Sequence, residues 1–170
     1  MARKRVPKGQ FRQESVLSGE LPPCVAVAAV GEVLNYLFDA HHSWEGVRQV
    51  LQRAYGALAP GGLLLFDVAG PGRASETGSR RAHALGDDWA VMVTVEEEPQ
   101  HAVLTRDITS FRKAGELYRR DHEVHRQRLL HPDQALSWLR ETGFRAQPLD
   151  SYQQRPFPAG LAGFLARKPG

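Results

Sequence analysis

The sequence predicts an α/β fold, and three consecutive segments carry that prediction. Cys24–Val30 is apolar at every position, which is typical of a parallel strand covered by helices on both faces. Residues 44–58 follow Ser43, a favourable N-cap, and their apolar side chains recur at helical spacing: Trp44, Val47, Leu51, Ala54 and Leu58. Leu63–Val68 is a second apolar strand. A strand, a helix and a strand with short joints form a βαβ unit, whose two strands lie parallel in one sheet.

Two shorter segments complete the first part of the chain. Phe11–Val16 predicts a short strand ahead of the βαβ unit. Pro60-Gly61-Gly62 predicts the corner between the helix and the second strand, because glycine adopts the backbone angles of a tight reversal.

The middle of the chain predicts a loop and then an antiparallel meander. Residues 74–88 are small and polar without periodicity, so we expect a loop there. Trp89–Val95, Ala102–Ile108 and Glu116–Val124 are rich in β-branched and aromatic residues that partly alternate with polar ones. This pattern predicts three strands with one solvated face.

The C-terminal part predicts one helix and two strands. Pro132 suits the first turn of a helix, and Gly143 suits its end. Phe144–Leu149 and Leu161–Arg167 predict a hairpin with a long loop.

Composition limits the classes of function. The 170 residues suit one domain with enough chain for a core. The net charge is +3, but beyond residue 5 basic and acidic residues are interspersed, so a nucleic-acid-binding face is a weak interpretation.

Cys24 is the only cysteine, which excludes an internal disulfide and fits a reducing compartment. No apolar run approaches the roughly 20 residues of a membrane span. We expect a cytoplasmic protein without membrane contact.

Histidine spacing does not predict a metal site. His41 and His42 have Asp39 nearby but no clear third and fourth ligands. His122 and His125 would lie on opposite faces of a strand, which is wrong for binding one ion. No Ser-His-Asp arrangement has a supporting motif, and no phosphate-binding loop occurs. We therefore predict no metal.

Five short motifs occur in a definite order along the chain. They are Ala29–Tyr36 (AVGEVLNY), Leu58–Leu63 (LAPGGL), Arg119–His125 (RRDHEVH), Leu139–Phe144 (LRETGF) and Phe164–Lys168 (FLARK). Each is weak alone, but their order and spacing together resemble the class I S-adenosylmethionine-dependent methyltransferases. The resemblance runs from about Phe11 to Lys168.

The resemblance implies a Rossmann-like methyltransferase sheet that lacks its first two strands, with an antiparallel β meander inserted in it and a C-terminal β hairpin. The family's strand order is 3-2-1-4-5-7-6, and Phe11–Val16 matches its third strand. The family's Gly-x-Gly-x-Gly loop and its ribose-binding acidic residue have no match in this sequence. The expected organisation is a single partial methyltransferase-like domain, 1–170, in which residues 89–128 form the substrate cover.

A sheet without those two strands has an unfilled position in its middle. The strand at residues 25–30 would keep an apolar, unpaired edge, and such edges promote association. We expect either a rearranged sheet, in which Phe11–Val16 lies beside this strand, or self-association or a partner chain at this edge. We favour association.

The resemblance also implies cofactor-binding residues. By position, Ser15 and Val16 match the residues that meet the adenine of S-adenosylmethionine, and Gly31 and Glu32 match the turn that faces its methionine portion. An ordinary strand-to-helix turn explains Gly31 and Glu32 equally well. Because the glycine loop has no match, we expect the chain to bind the cofactor very weakly or not at all.

Candidate catalytic residues lie in the third meander strand, where the family builds its substrate cover. Glu123 and His125 share one face of that strand and could share a proton or a substrate group. Tyr118 is a further catalytic candidate, and Arg120 is a candidate for substrate binding. A solvated polar strand face is the simpler interpretation of any one of these residues taken alone.

The sequence thus predicts an S-adenosylmethionine-dependent methyltransferase with a small-molecule acceptor, of which this chain is a truncated form that need not be active alone. One alternative is a non-catalytic binding or scaffold module derived from such an enzyme. The other is a nucleic-acid methyltransferase, which only the pI near 9.3 suggests. The acceptor is not identified, because the meander and loops have generic chemistry.

Overall fold

The computed structural model describes residues 2–39, 42–75 and 77–170. The helices are α1 (Ala2–Arg5), α2 (Trp44–Ala57) and α3 (Pro132–Thr142). The strands are β1 (Cys24–Ala29), β2 (Leu58–Ala69), β3 (Ser79–Leu85), β4 (Trp89–Glu98), β5 (Val103–Ala114), β6 (Leu117–Arg128), β7 (Arg145–Leu149), β8 (Ser151–Tyr152), β9 (Arg155–Pro156) and β10 (Leu161–Arg167). Within the described ranges they form a four-stranded main sheet, a four-stranded second sheet and the short ribbon β8–β9.

The main sheet has the strand order β1-β2-β10-β7. Strands β1 and β2 are parallel and are joined by α2, as the βαβ pattern predicted. Strand β10 runs antiparallel to both β2 and β7, so β7 and β10 form the predicted C-terminal hairpin. The α/β class and the C-terminal hairpin are confirmed.

The predicted strand at Phe11–Val16 is wrong. This segment contains no strand in the structure, and among the described residues β1 is paired on one side only, with β2. The chain turns back instead, because the N–H of Gly19 donates to the Ser15 carbonyl at 2.8 Å. Leu17 inserts into the core with 9% of its surface exposed. The segment is therefore held as an irregular covering, and the rearranged sheet that would place it beside β1 does not form.

Strand β1 is covered on one face rather than on both. Val27 and Ala29 pack against the core, whereas Ala26 and Ala28 on the opposite face are exposed. Val25 is 75% exposed. The apolar run correctly predicted a strand, but burial also depends on which other elements are present to cover it.

The core lies between one face of the main sheet and the helices α2 and α3. Phe66 of β2 and Phe164 of β10 stack there, with ring centroids 5.1 Å apart. The other main contributors are Leu64, Val68, Val47, Leu51, Ala54, Trp138 and Leu139. Burial of this apolar face supplies the dominant stabilising free energy of the βαβ unit.

Local signals correctly located both long helices. The Ser43 side chain caps α2 by accepting a hydrogen bond from the N–H of Gly46. Helix α3 has Pro132 in its first turn and ends at Gly143, whose φ of 104° is in the left-handed region.

The corner after α2 is built into the start of β2. Cys24 pairs with Leu58 but Ala26 pairs with Leu63, so the Pro60-Gly61-Gly62 segment bulges out of the ladder. Gly61 has a φ of 75°, which confirms that a glycine here adopts a left-handed conformation. The strand begins at Leu58, earlier than the predicted Leu63.

The second sheet is an antiparallel meander in the order β3-β4-β5-β6. Three strands were predicted, and they are confirmed as β4, β5 and β6. Residues 79–85 were predicted as part of a loop and instead form β3, which pairs with β4. All seven residues of β3 are exposed. With no buried face there is no apolar alternation, so backbone pairing alone reveals this strand.

Candidate functional site

The site is built around a turn at the carboxyl end of β1. Gly31 and Glu32 have φ angles of 91° and 59°, so two successive residues adopt the left-handed conformation. The buried carboxylate of Asp67, near the end of β2, accepts hydrogen bonds from the N–H of Gly31 at 2.9 Å and from that of Glu32 at 2.5 Å. The hydroxyl of Tyr152 donates to the same carboxylate at 2.7 Å. Asp67 thus ties the turn after β1 to the ribbon between β7 and β10.

The Glu32 side chain connects this turn to the meander. Its carboxylate is buried and pairs with Arg73 Nε at 2.7 Å and with Arg106 Nη1 at 2.6 Å. The side-chain amide of the buried Gln127 also donates to it, at 3.1 Å. Burial alone would raise the pKa of Glu32, but the hydrogen bonds and charges of Arg106 and Arg73 outweigh burial and hold its pKa below the ordinary value. Glu32 is therefore ionised and fixed in place.

For the Tyr152 phenol, burial and the neighbouring carboxylate shift the pKa in the same direction. Partial burial and the hydrogen bond and charge of Asp67 raise the pKa of Tyr152. The phenol stays protonated near neutral pH and remains a donor to Asp67.

Asn35 fixes the path of the loop after the turn. It is fully buried, and its amide nitrogen donates to the carbonyls of Ala69 at 3.0 Å and Arg128 at 2.7 Å. Its side-chain oxygen accepts from the N–H of Ala69 at 3.0 Å. Because Asn35 joins the end of β2 to the end of β6, the next residue, Tyr36, is held against the meander.

A pocket opens beside this loop, and we call it the loop pocket. It has a volume of about 270 Å³ and is lined by Glu14, Ser15, Val16, Leu17, Val33, Leu34, Tyr36, Phe38, Asp39 and His42. Tyr36 and Phe38 form a tilted aromatic pair with centroids 5.1 Å apart. The hydroxyl of Ser15 donates to the Asp39 carboxylate across the pocket wall. His42 Nε2–H donates to the Leu34 carbonyl at 3.1 Å, and the buried Nδ1 of His42 has no hydrogen-bond partner among the described residues.

A second pocket lies next to the free edge of β1, and we call it the edge pocket. Its volume is about 200 Å³, and Val27, Ala28 and Ala29 form one wall. Arg53 of α2 lies in the opposite wall and donates to the Leu17 carbonyl at 2.7 Å. The segment that carries Ser15 and Val16 lines both pockets.

Glu123 and His125 lie together, as their spacing on β6 predicted. His125 Nε2 is 3.0 Å from a carboxylate oxygen of Glu123. The His125 ring also makes an edge-on contact with Tyr36, with centroids 5.5 Å apart. The Glu123–His125 pair therefore lies behind one wall of the loop pocket.

The structure does not bring Tyr118 and Arg120 to this pair. Both residues are exposed near the far end of β6, and alternation along the strand puts them on the opposite face from Glu123 and His125. Tyr118 lies about 23 Å along the strand from His125 at ~3.3 Å per residue.

The four predicted cofactor residues divide into two groups. Ser15 and Val16 line the loop pocket, whereas Gly31 and Glu32 form the turn beside it. Gly31 is exposed, and no atom lies within 4 Å of the position that a side chain there would occupy. Glu32 points its carboxylate at arginines, so only the backbone of this turn is open to a ligand.

Sequence reasoning missed the polar residues that hold the site. Asp67 had a usable signal, since it is an acid near the end of an apolar strand. Asn35 and Tyr36 lie in one of the quoted motifs but had no assigned role. Arg106 and Gln127 gave no signal, because only the tertiary structure brings them to Glu32.

The described residues show neither a metal cluster nor a membrane helix. In residues 2–39, 42–75 and 77–170 no group of three or more His, Cys, Asp or Glu is placed to hold a metal ion. His41 lies outside the described residues. Over the same ranges no helix is long and apolar enough to cross a membrane.

Comparison with known proteins identifies the fold. No protein-family model matches the chain, and a search of curated proteins found no significant match. Among solved structures, an S-adenosylmethionine-dependent methyltransferase from Clostridium acetobutylicum ATCC 824 has a TM-score of 0.78 at 16% identity, over 99% of this chain and 68% of its own. CalS10, an amino pentose methyltransferase from Micromonospora echinaspora, has a TM-score of 0.74 at 15% identity, over 98% of this chain and 68% of its own. KedS8, a sugar N-methyltransferase from Streptoalloteichus sp ATCC 53650, has a TM-score of 0.73 at 15% identity, over 99% of this chain and 66% of its own.

These similarities show that the chain has the fold of S-adenosylmethionine-dependent methyltransferases. They also show a difference in length. About a third of each of the three neighbours has no counterpart in this chain.

Proposed function

We propose that this chain forms part of an S-adenosylmethionine-dependent methyltransferase whose acceptor is a small molecule that carries an amine. The fold supports the methyltransferase assignment. The amine is proposed because CalS10 is an amino pentose methyltransferase and KedS8 is a sugar N-methyltransferase. The cytoplasm remains our proposed compartment, since Cys24, the only cysteine, is free.

The observation that carries the proposal is the position of the Glu123–His125 pair. The pair lies behind Tyr36, which lines the loop pocket, at the carboxyl edge of the main sheet. Ligands of open α/β sheets bind at this edge. An acid–base pair at the border of the pocket fits a reaction in which an acceptor loses a proton, and residues 89–128 would then form the cover over that acceptor.

The residues present fit one part of S-adenosylmethionine. Ser15 and Val16 would hold the adenine, with the apolar walls of the loop pocket against the ring. The unpaired His42 Nδ1 is an acceptor, because Nε2–H donates to the Leu34 carbonyl, and it would accept from the exocyclic amino group of the adenine. The open space at Gly31 would let the methionine portion pass close to the backbone. The pocket volume of about 270 Å³ is below the ~300–1,000 Å³ of complete small-molecule sites, so the chain holds only part of the cofactor.

The proposed chemistry needs one proton acceptor. The cofactor supplies an electrophilic methyl group when bound. With His125 Nε2–H donating to Glu123, the other ring nitrogen, Nδ1, carries a lone pair that can take the proton of an acceptor ammonium group. Glu123 would orient the ring and stabilise the imidazolium. Tyr36 and Phe38 would contribute aromatic surface to a cationic acceptor.

Cofactor binding is the first test. Titration of the isolated chain with S-adenosylmethionine, followed by calorimetry and by backbone amide NMR shifts, should give a dissociation constant of about 1 mM or weaker. The shifts should be confined to the neighbourhood of Ser15, Val16 and Gly31. Low-micromolar affinity would show that another segment replaces the glycine loop, and shifts elsewhere would contradict the assigned residues.

The catalytic pair is tested by methyl transfer to an amino sugar at millimolar cofactor. His125→Ala should lower the rate by about a hundredfold, the usual contribution of a positioned base. The matched control is His122→Ala, because His122 makes the same kind of contact, 3.0 Å from an Asp107 oxygen, on the opposite face of β6. Equal rates for the two variants would rule out His125 as the base.

A second candidate function is a non-catalytic module that binds another chain. The unpaired edge of β1, with Val25 75% exposed, favours it. We propose that this edge takes part in self-association or receives a strand of a partner chain, whether the chain belongs to a methyltransferase or to a non-catalytic module.

A further inference from the structure

One face of the main sheet carries apolar side chains that no helix of the described part of the chain covers. Side chains alternate along each strand, so this face presents Leu63 and Leu65 of β2, Leu165 of β10 and the exposed Ala26 and Ala28 of β1. Helices α2 and α3 both pack on the opposite face, around Phe66 and Phe164. We call this uncovered surface the bare face.

The bare face has a cluster of positive charge at one side. A groove of about 550 Å³ crosses it, with Leu63 and Leu165 in its floor and Arg140, Arg145 and Arg167 around it. Arg145 and Arg167 are direct cross-strand neighbours, so two like charges lie side by side. Arg167 donates to the Gly61 carbonyl, and among the described residues no carboxylate forms an ion pair with any of the three arginines.

We propose that the bare face is a docking surface for an amphipathic helix of a partner polypeptide, one whose apolar stripe is bordered by acidic residues. A helix is the element that covers a sheet face of this type in α/β proteins, as α2 and α3 do on the other side. The apolar stripe packs on Leu63, Leu65 and Leu165. Carboxylates at one end of the helix pair with the arginines of the groove and relieve their mutual repulsion.

Two observations favour a partner over a second copy of this chain. A second copy carries the same three arginines and a net charge of +3, so stacking two bare faces does not supply the missing negative charge. The solved neighbours, in contrast, contain additional polypeptide, about a third of their length, that this chain does not match.

The test uses two synthetic peptides of about 20 residues, long enough for a helix of ~30 Å. Both have leucines at helical spacing. One has three glutamates beside the apolar stripe, and the other has three lysines at the same positions. Fluorescence anisotropy of the labelled peptides with the full 170-residue chain should show that the acidic peptide binds at least about tenfold more tightly, with the difference narrowing as salt is added.

Charge reversal locates the binding surface. Arg145→Glu should weaken binding of the acidic peptide by roughly threefold or more. The matched control is Arg81→Glu, an equally exposed arginine on β3 of the meander, which should leave binding unchanged. Leu165→Gln, with circular dichroism to confirm folding, should weaken binding of both peptides.

Three results would overturn the proposal. One is equal affinity for the two peptides, and another is no binding of either peptide up to about 1 mM. The third is a dimer of the chain that Arg145→Glu dissociates and the peptide cannot displace, which would make the bare face an interface between copies.

Discussion

Two buried carboxylates determine the geometry of the turn after β1. Asp67 accepts the two N–H groups of the turn, and Glu32 extends from the turn to Arg73 and Arg106. The left-handed angle of Glu32, unusual for a residue with a side chain, is maintained by these contacts. The same residues hold the main sheet and the meander together.

Replacement of Glu32 by glutamine should be strongly destabilising. Arg73 and Arg106, whose side chains are only 12% and 15% exposed, would lose their carboxylate. Breaking a buried ion pair from one side costs about 3–5 kcal/mol. Urea unfolding at neutral pH measures the loss. The control is Glu141→Gln, which removes an exposed ion pair with Arg48 and should cost less than about 0.5 kcal/mol.

The contribution of Glu32 to the stability of the fold should be lost at low pH. The pKa of Glu32 is lowered in the folded chain from its ordinary 4.5. Its contribution to stability is therefore complete above about pH 4.5 and is lost as the pH falls through the lowered value. Unfolding curves of the wild type and of Glu32→Gln should converge on acidification. A constant difference between them at all pH values would contradict this assignment.

At the scale of elements, the joint between α2 and β2 depends on two glycines for different reasons. Gly61 has a left-handed φ of 75°. Gly62 has an ordinary φ, but a side chain there would lie 2.8 Å from the Ala59 carbonyl oxygen. A larger residue is therefore disfavoured at Gly61 by its backbone angle and at Gly62 by lack of space.

Gly61→Val and Gly62→Val should each destabilise the protein by more than about 1 kcal/mol. Denaturant midpoints measure the change. Gly56→Ala is the control, because it should stabilise the protein by up to about 1 kcal/mol. Gly56 lies within α2, and nothing outside its own helix lies within 4 Å of the position that an alanine Cβ would occupy. If both valine variants had the denaturant midpoint of the wild type, the proposed glycine corner between α2 and β2 would be wrong.

At the scale of the whole molecule, β1 has one edge with which no strand of the described ranges pairs. It is one of the two edge strands of the main sheet, it contains neither charge nor proline, and Val25 is 75% exposed. Natural edges of this kind are normally protected by charge, bulges or coverage. Of the two outcomes expected from the sequence, the rearranged sheet is wrong, and association remains a prediction.

Light scattering over a concentration series should therefore give a mass above the 18.9 kDa of one chain. Val25→Lys should reduce the mass toward that of the monomer, because a lysine protects an exposed edge. Val124→Lys is the matched control, since Val124 is 53% exposed but lies on the meander. A monodisperse wild-type monomer would contradict association at β1.

The predictable part of the fold depended on local signals. Ser43, Pro132 and Gly143 marked helix ends because capping involves residues a few positions apart. Phe11–Val16 was misassigned because its apolar residues stand only at its two ends, a pattern that also suits an irregular segment leading Leu17 into the core. Strand β3 was missed because it buries nothing.

By itself, the sequence determined the βαβ unit, the glycine corner, three meander strands and the pairing of Glu123 with His125, since each depends on residues that are neighbours along one element. Only the tertiary structure decided which groups meet at the site. The Glu32 carboxylate and the Gln127 amide are 95 positions apart, and Asp67 and Tyr152 are 85 apart. Contacts between such distant positions follow from strand order and register, and these are set by burial and backbone pairing across the whole sheet.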